Sequence, residues 1–150
     1  IYILNVRFAG DIHFSKKVEC DVENVRVPSM ILQPVVENAV NHGIRNIDWE
    51  GHIDLSVERW DDHIEISVRD NGLGMTGEQI QRVLSKKVHS SSGEGDSTGI
   101  VMNNVISRLE LYYERDGLME IYSEGEGMGT EVVINIPLER SEKNVQNPDC

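Results

Sequence analysis

Gly51-His52-Ile53-Asp54-Leu55-Ser56-Val57-Glu58-Arg59-Trp60-Asp61-Asp62-His63-Ile64-Glu65-Ile66-Ser67-Val68-Arg69-Asp70 contains two strands and the turn between them. Ile53, Leu55 and Val57 alternate with polar residues, and so do Ile64, Ile66 and Val68. A period of two puts each apolar set on one face of an extended chain. Asp61-Asp62 is the turn. Strands joined so tightly pair antiparallel. One face of the hairpin is therefore buried, and the other is free to meet water or the edge of a site.

Downstream, the second strand runs into Asp70-Asn71-Gly72-Leu73-Gly74-Met75. Glycines let a chain turn sharply and approach a flat ligand closely. A carboxylate fixed at a strand end can accept a hydrogen bond from an adenine amino group, which excludes guanine at that edge. The same composition also suits an ordinary turn. Residues 76–85 predict a short helix capped by Thr76, with Glu78 in its first turn. Residues 86–98 include a Ser- and Gly-rich run and predict a mobile loop. Gly99 then opens a helix over about 100–114, and a helix N-terminus attracts phosphate through its free amides. Two strands close the pattern, at about 118–123 and 130–136, joined through Gly125, Gly127 and Gly129.

Upstream, Ser29 is a candidate N-cap for a helix over about 30–42, with Pro34 expected near its first turn and Gly43 as its stop. Ile31, Val35, Ala39 and Leu32, Val36, Val40 give it a wide apolar stripe. Asn38, Asn41 and His42 stand at i, i+3, i+4 and share a face of an α-helix. An amide oxygen is a good hard ligand for magnesium; such amides also hydrogen-bond neighbouring loops. Residues 12–22 read as a strand, and 1–8 as a strand or the end of a helix from an upstream segment. The order of elements predicts an α+β, two-layer α/β sandwich: a mixed, mostly antiparallel sheet covered on one face by helices.

The chain has 150 residues, enough for one domain with a real core. Its net charge of −12 argues against a nucleic-acid partner, whose phosphates need Lys and Arg, but not against a nucleotide met by a metal ion. Cys20 and Cys150 read as reduced thiols of a cytosolic protein. The start without Met suggests a piece of something longer.

Taken together, these segments resemble the GHKL (Bergerat-fold) ATPase superfamily, with an N box on a helix, a first glycine box after a strand and a second glycine box after a lid. The stretch Leu32-Gln33-Pro34-Val35-Val36-Glu37-Asn38-Ala39-Val40-Asn41-His42-Gly43-Ile44 resembles the N box of LytS/YesM-type sensor histidine kinases. Asn104-Val105-Ile106-Ser107-Arg108-Leu109-Glu110-Leu111-Tyr112-Tyr113 is similar to the helix after their second glycine box, and Gly127-Met128-Gly129-Thr130 resembles their closing segment.

The resemblance covers residues 12–138 and implies a Bergerat-fold ATP-binding catalytic domain, with ATP and Mg2+ as its cofactors. Residues 1–11 would end a linker from an upstream dimerisation domain, and 139–150 would be a polar tail. Asn38 would ligate the magnesium, with Asn41 and His42 near the phosphates. Asp70 would bind the adenine amine. Gly72 and Gly74 would shape the adenine pocket and the lid hinge, and Asn71 and Met75, which flank them, would also bind the nucleotide. Gly99 and Ile100 would lie against the phosphates, and Thr130 would support Asp70 or a water on the adenine edge. Residues 86–98 would form the lid. The γ-phosphoryl group would pass to a histidine on the dimerisation domain of the same protein and then to a response-regulator aspartate. The whole would be a membrane-anchored homodimer with this domain in the cytoplasm.

Two positions depart from the pattern. Val101 replaces the second glycine of Gly-x-Gly, which is costly if that position needs positive φ or close approach to phosphate. Pro34 stands four residues before Asn38, where hydrolytic members and anti-sigma serine kinases carry a Glu base. An imidazole acceptor needs less help, being nucleophilic when neutral. Glu37 is the candidate catalytic carboxylate, about 100° round the helix from Asn38; a structural role is the alternative. Val101 motivates a rival reading as a degenerate interaction module, and Pro34 speaks against a serine kinase. None of His13, His52, His63 or His89 has the context of a phosphoacceptor.

Overall fold

The computed structural model describes residues 12–18, 29–44, 47–85 and 97–138. Its elements are β1 (Ile12–Val18), α1 (Ser29–Asn38) continued by a π-helical segment (Ala39–Ile44), β2 (Gly51–Arg59), β3 (His63–Asp70), α2 (Gly77–Leu84), α3 (Ser97–Tyr113), β4 (Met119–Tyr122) and β5 (Thr130–Pro137). One five-stranded sheet runs in the order β1-β2-β3-β5-β4. β1 lies parallel to β2, while the other three pairings are antiparallel. This is the mixed, mostly antiparallel sheet expected.

The alternation in the hairpin sets the register. Val57 faces Ile66 and Leu55 faces Val68 across β2 and β3, and both strands bury every second residue. Their inner side chains form one core with Ile31, Val35 and Val36 of α1, Met102, Val105 and Leu109 of α3, and Ile134 and Ile136 of β5. A slip of one residue would turn all of these to water. Each full exposure of an Ile or Val forfeits about 1.5–3 kcal/mol, so this register is strongly held. The opposite face carries exposed His52, Asp54, Arg69, Glu120 and Tyr122.

The strand expected over 12–22 is seen over 12–18 as β1, and 19–22 lie outside the described residues. Three local expectations change. Pro34 sits in the second turn of α1, not the first. Gly43 does not stop the helix; it lies inside the π-helical segment, which runs on to Ile44. α3 starts at Ser97, so Gly99 lies in its first turn instead of before it. α2 follows its signals: Thr76 Oγ1 accepts from the Gln79 amide at 3.2 Å, and Gln79 Oε1 accepts from the Thr76 amide at 2.8 Å. This reciprocal cap satisfies two amides that the helix cannot. The linker, the tail, residues 86–96 of the lid, Cys20, Cys150 and His89 fall outside the described residues, and the last two lid residues, Ser97 and Thr98, open α3.

Candidate functional site

The period of two that buries Ile64, Ile66 and Val68 also carries Asp70 to the inner face at the end of β3. Asp70 is only 7% exposed and is the one buried charged residue among those described. Burial pushes its carboxyl above the ordinary carboxylate value, against which the Gly72 and Thr130 amides, hydrogen-bonded to it, favour the charged form. The Gly72 amide donates to Asp70 Oδ1 at 2.9 Å. Thr130, directly opposite Asp70 in the β3–β5 register, thus supports it through its main chain.

Three glycines permit close approaches around Asp70, one against its carboxylate and two against backbone. A Cβ on Gly43 would stand 2.8 Å from the Asp70 carboxyl carbon and 2.8 and 3.0 Å from its oxygens. A Cβ on Gly72 would stand 1.8 Å from the Gly43 carbonyl oxygen, and one on Gly129 would stand 2.1 Å from the Asp70 carbonyl oxygen. The Leu73 amide donates to that same Gly43 carbonyl at 2.9 Å. So the helical segment after Asn38 and the turn after Asp70 touch backbone to backbone. The π-helical geometry delivers Gly43 to this contact, and the missing side chain permits it.

Asn71 faces the other way. Its Oδ1 accepts from the His52 amide at 2.7 Å, and its Nδ2 donates to the Glu50 carbonyl at 2.9 Å. Trp49 Nε1 donates to the Asn71 carbonyl at 2.8 Å. Asn71 therefore clasps the start of β2 with both ends of its amide. Gly74 has φ of +75°, a conformation open to glycine, and a Cβ there would stand 2.1 Å from the Gly125 carbonyl oxygen. Met75 packs against the core. The Gly127 and Gly129 amides donate to the Leu73 and Gly72 carbonyls, at 2.7 and 3.1 Å. The β4–β5 turn is thus zipped onto the turn after Asp70.

At the other end, Asn38 Oδ1 is buried and has no hydrogen-bond partner. A buried carbonyl left unpaired costs about 1–3 kcal/mol, so such an atom calls for a partner from outside the chain. A hard cation with oxygen ligands fits it. Because the helix changes pitch after Asn38, the i+3 relation no longer places Asn41 beside it: Asn41 is exposed. His42 lies on the same segment, and its side chain is outside the described residues. Glu37 is exposed, its Oε1 accepting from Gln33 Nε2 at 2.9 Å. Gly99 is buried in the first turn of α3, where helix amides lack internal acceptors, and Ile100 is exposed. Val101 lies within α3, and the only described non-glycine residue with positive φ is Glu114. The backbone strain that valine would suffer in a left-handed conformation does not arise.

His13 and His52 stack on the open face of the sheet with centroids 5.0 Å apart, and both approach the Glu50 carboxylate. His63 pairs with Asp62 at 2.6 Å beside the exposed Trp60. Among the described residues, no group of three or more His, Cys, Asp or Glu is arranged to hold a metal ion. No described helix is long and apolar enough to cross a membrane. Sequence reasoning passed over Gly43 as a neighbour of the Asp70 carboxylate, and also Trp49 and Ser123 as braces of the turn that follows it. Gly43 had a signal, a glycine directly after the amide cluster, but a helix stop explains the same residue.

Residues 27–140 match the model of the family described as histidine kinase-, DNA gyrase B-, and HSP90-like ATPase. The chain is 30% identical over 138 residues to the sensor histidine kinase/phosphatase LytS of Staphylococcus aureus, covering 91% of this chain and 23% of that protein. It is 30% identical over 148 residues to the sensor histidine kinase YpdA of Escherichia coli, covering 94% of this chain and 23% of that protein. It thus spans about a quarter of the length of these relatives. Among solved structures, the catalytic domain of the histidine kinase ThkA superposes with a TM-score of 0.59 at 19% identity, covering 85% of this chain and 80% of that one. Full-length ShkA, in complex with AMPPNP, gives 0.60 at 18% identity, covering 84% and 25%. These two show a shared fold.

Proposed function

The chain belongs to the histidine kinase-, DNA gyrase B- and HSP90-like ATPase family and is an ATP-binding catalytic domain of the histidine kinase kind; from that premise we propose how its residues work. The observation that carries the reading is Asp70, a buried carboxylate held by two amides and walled by glycines at the mouth of the sheet. Its free acceptor capacity suits the adenine amino group, and a guanine carbonyl at that edge would face it unfavourably. Gly72, Gly74 and Met75 wall the base, with Asn71 bracing that wall from behind and Thr130 holding Asp70 from β5.

Asn38 would hold a magnesium ion, which supplies charge neutralisation to the phosphates. Asn41 and His42, on the segment that follows Asn38, would lie near the phosphates, and Gly99 and Ile100 at the start of α3 would meet them. Glu37, exposed one residue before Asn38, is the carboxylate available to orient an incoming imidazole. Phosphoryl transfer asks the protein mainly for positioning and electrostatics, so no strong base is needed at Pro34. We assign the acceptor to a histidine on a dimerisation domain of the same protein, within a membrane-anchored homodimer that faces the cytoplasm. A response regulator then takes the phosphoryl group.

A thermal titration tests the core of this reading. Mg-ATP at a hundred times its dissociation constant should stabilise the fold by about 2.7 kcal/mol. No rise in melting temperature at millimolar Mg-ATP would refute it. Phosphotransfer to an added dimerisation domain, and none to a serine-bearing partner, tests the acceptor.

A further inference from the structure

Ser123 follows β4 directly and is half-buried. Its Oγ donates to the Gly129 carbonyl at 2.6 Å and accepts from the Met75 amide at 3.0 Å and the Gly125 amide at 3.3 Å. One hydroxyl therefore ties together both arms of the β4–β5 turn and the last residue of the strap 72–75. The strap belongs to no helix or strand. It leaves β3 at Asp70 and enters the Thr76 cap of α2, so its shape rests on a few bonds: Leu73 to Gly43, Gly127 to Leu73, Gly129 to Gly72, and Met75 to Ser123. The Gly72 amide adds a bond to the Asp70 side chain that precedes the strap, so among the described residues Ser123 is the side chain that holds the strap from another part of the fold.

We propose that Ser123 is a positioning residue of the nucleotide site, holding the strap in the shape that receives the base. This rests on the adenine-binding reading of Asp70. Without the hydroxyl, the Met75 amide loses its acceptor and the strap gains alternative conformers. Apparent affinity falls in proportion to the fraction that stays competent. The loss falls on the base end, so it is shared by adenosine, ADP and ATP.

Calorimetric titration of the chain and its Ser123→Ala variant, well below their melting temperatures, tests this. Ser123→Ala should weaken Mg-ATP and adenosine alike, about five- to tenfold for one hydrogen bond. Ser123→Thr, which keeps the hydroxyl, should stay within about twofold by the same reasoning. Hydrogen exchange at the Met75 amide should accelerate in the alanine variant and not in the threonine one. Should Ser123→Ala fail to fold, Ser123→Cys, similar in size but a poor hydrogen-bonder, is titrated instead. Equal affinity in the hydroxyl-free variant, or an equal loss in Ser123→Thr, overturns the inference alone. Failure of the unmodified chain to bind Mg-ATP or adenosine overturns the nucleotide reading and this inference together.

Discussion

The two ends of the site are built on opposite plans. Around Asp70 the chain supplies the bracing itself: two amides bond the carboxylate, both ends of the Asn71 amide bond the start of β2, and the strap is zipped to the β4–β5 turn. At Asn38 the side-chain oxygen is buried with nothing to bond. In the proposed site a flat base would be recognised by fixed geometry, which suits an end prepared in advance. Phosphates and their metal would bring charge and ligands of their own, which suits an end left short of them. This contrast says where each substitution should register, in affinity or in stability.

The largest effect is expected at Asn38. Asn38→Ala should lower magnesium-dependent ATP affinity by about a hundredfold or more, since even outer-shell changes at metal sites cost 10–100-fold. The melting temperature should hold or rise, because an unsatisfied buried carbonyl is removed. Titration with and without magnesium reads this, and an unchanged affinity would break the contrast.

Asp70→Asn comes next. Losing a charge-assisted hydrogen bond should weaken ATP binding about tenfold to a hundredfold and narrow the preference for ATP over GTP. Its stability effect has a definite sign. The folded carboxyl titrates above its ordinary 3.8, so the folded state binds the proton more readily than the unfolded one. Stability from this group is fully present below 3.8 and is lost as pH rises through the raised folded value. Asp70→Asn escapes that loss. It should therefore melt higher than the unmodified chain at neutral pH, with the difference shrinking in acid. Melting curves across that range check it.

Gly43→Ala sharpens the contact between the two ends. A methyl group set against the Asp70 carboxylate should cost about 1–3 kcal/mol of stability and weaken ATP binding with it. Gly43 does not have positive φ, so without the Asp70 contact alanine in this helical segment would be neutral or would stabilise by about 0.5–1 kcal/mol. The smallest effect belongs to Thr76→Ala, which removes the α2 cap. It should cost about 1 kcal/mol by denaturant melting and leave ATP affinity nearly unchanged, because the strap is held from Ser123 and Gly43.

How much of this was readable beforehand follows from the kind of signal each feature leaves. The hairpin was legible because burial on one face forces alternation at 53, 55, 57 and at 64, 66, 68. The same alternation, carried two residues on, placed Asp70 inside. The Thr76 cap left a local chemical signal in Thr76 and Gln79. The π-helical segment left none: widening the turn after Asn38 keeps an apolar stripe that reads as ordinary helix. Gly43 was visible as a glycine, but a glycine needed for close approach and one that ends a helix look alike. Ser123 acts through partners 48 and 6 residues away in the chain, so no local pattern could mark it. The fold was therefore largely readable. Within the candidate site, the sequence singled out Asn38 and Asp70 as the chemistry-bearing side chains but left no sign of how the backbone around them is held.

The two-ended grip is tested most directly by titrating the labelled chain with Mg-ATP and following two nuclear magnetic resonance signals. One is the Asn38 side-chain amide and the other is the Gly72 backbone amide. Both should shift along a single saturation curve, as one nucleotide spans both ends. Movement of only one signal, or two curves with different midpoints, would contradict a shared ligand.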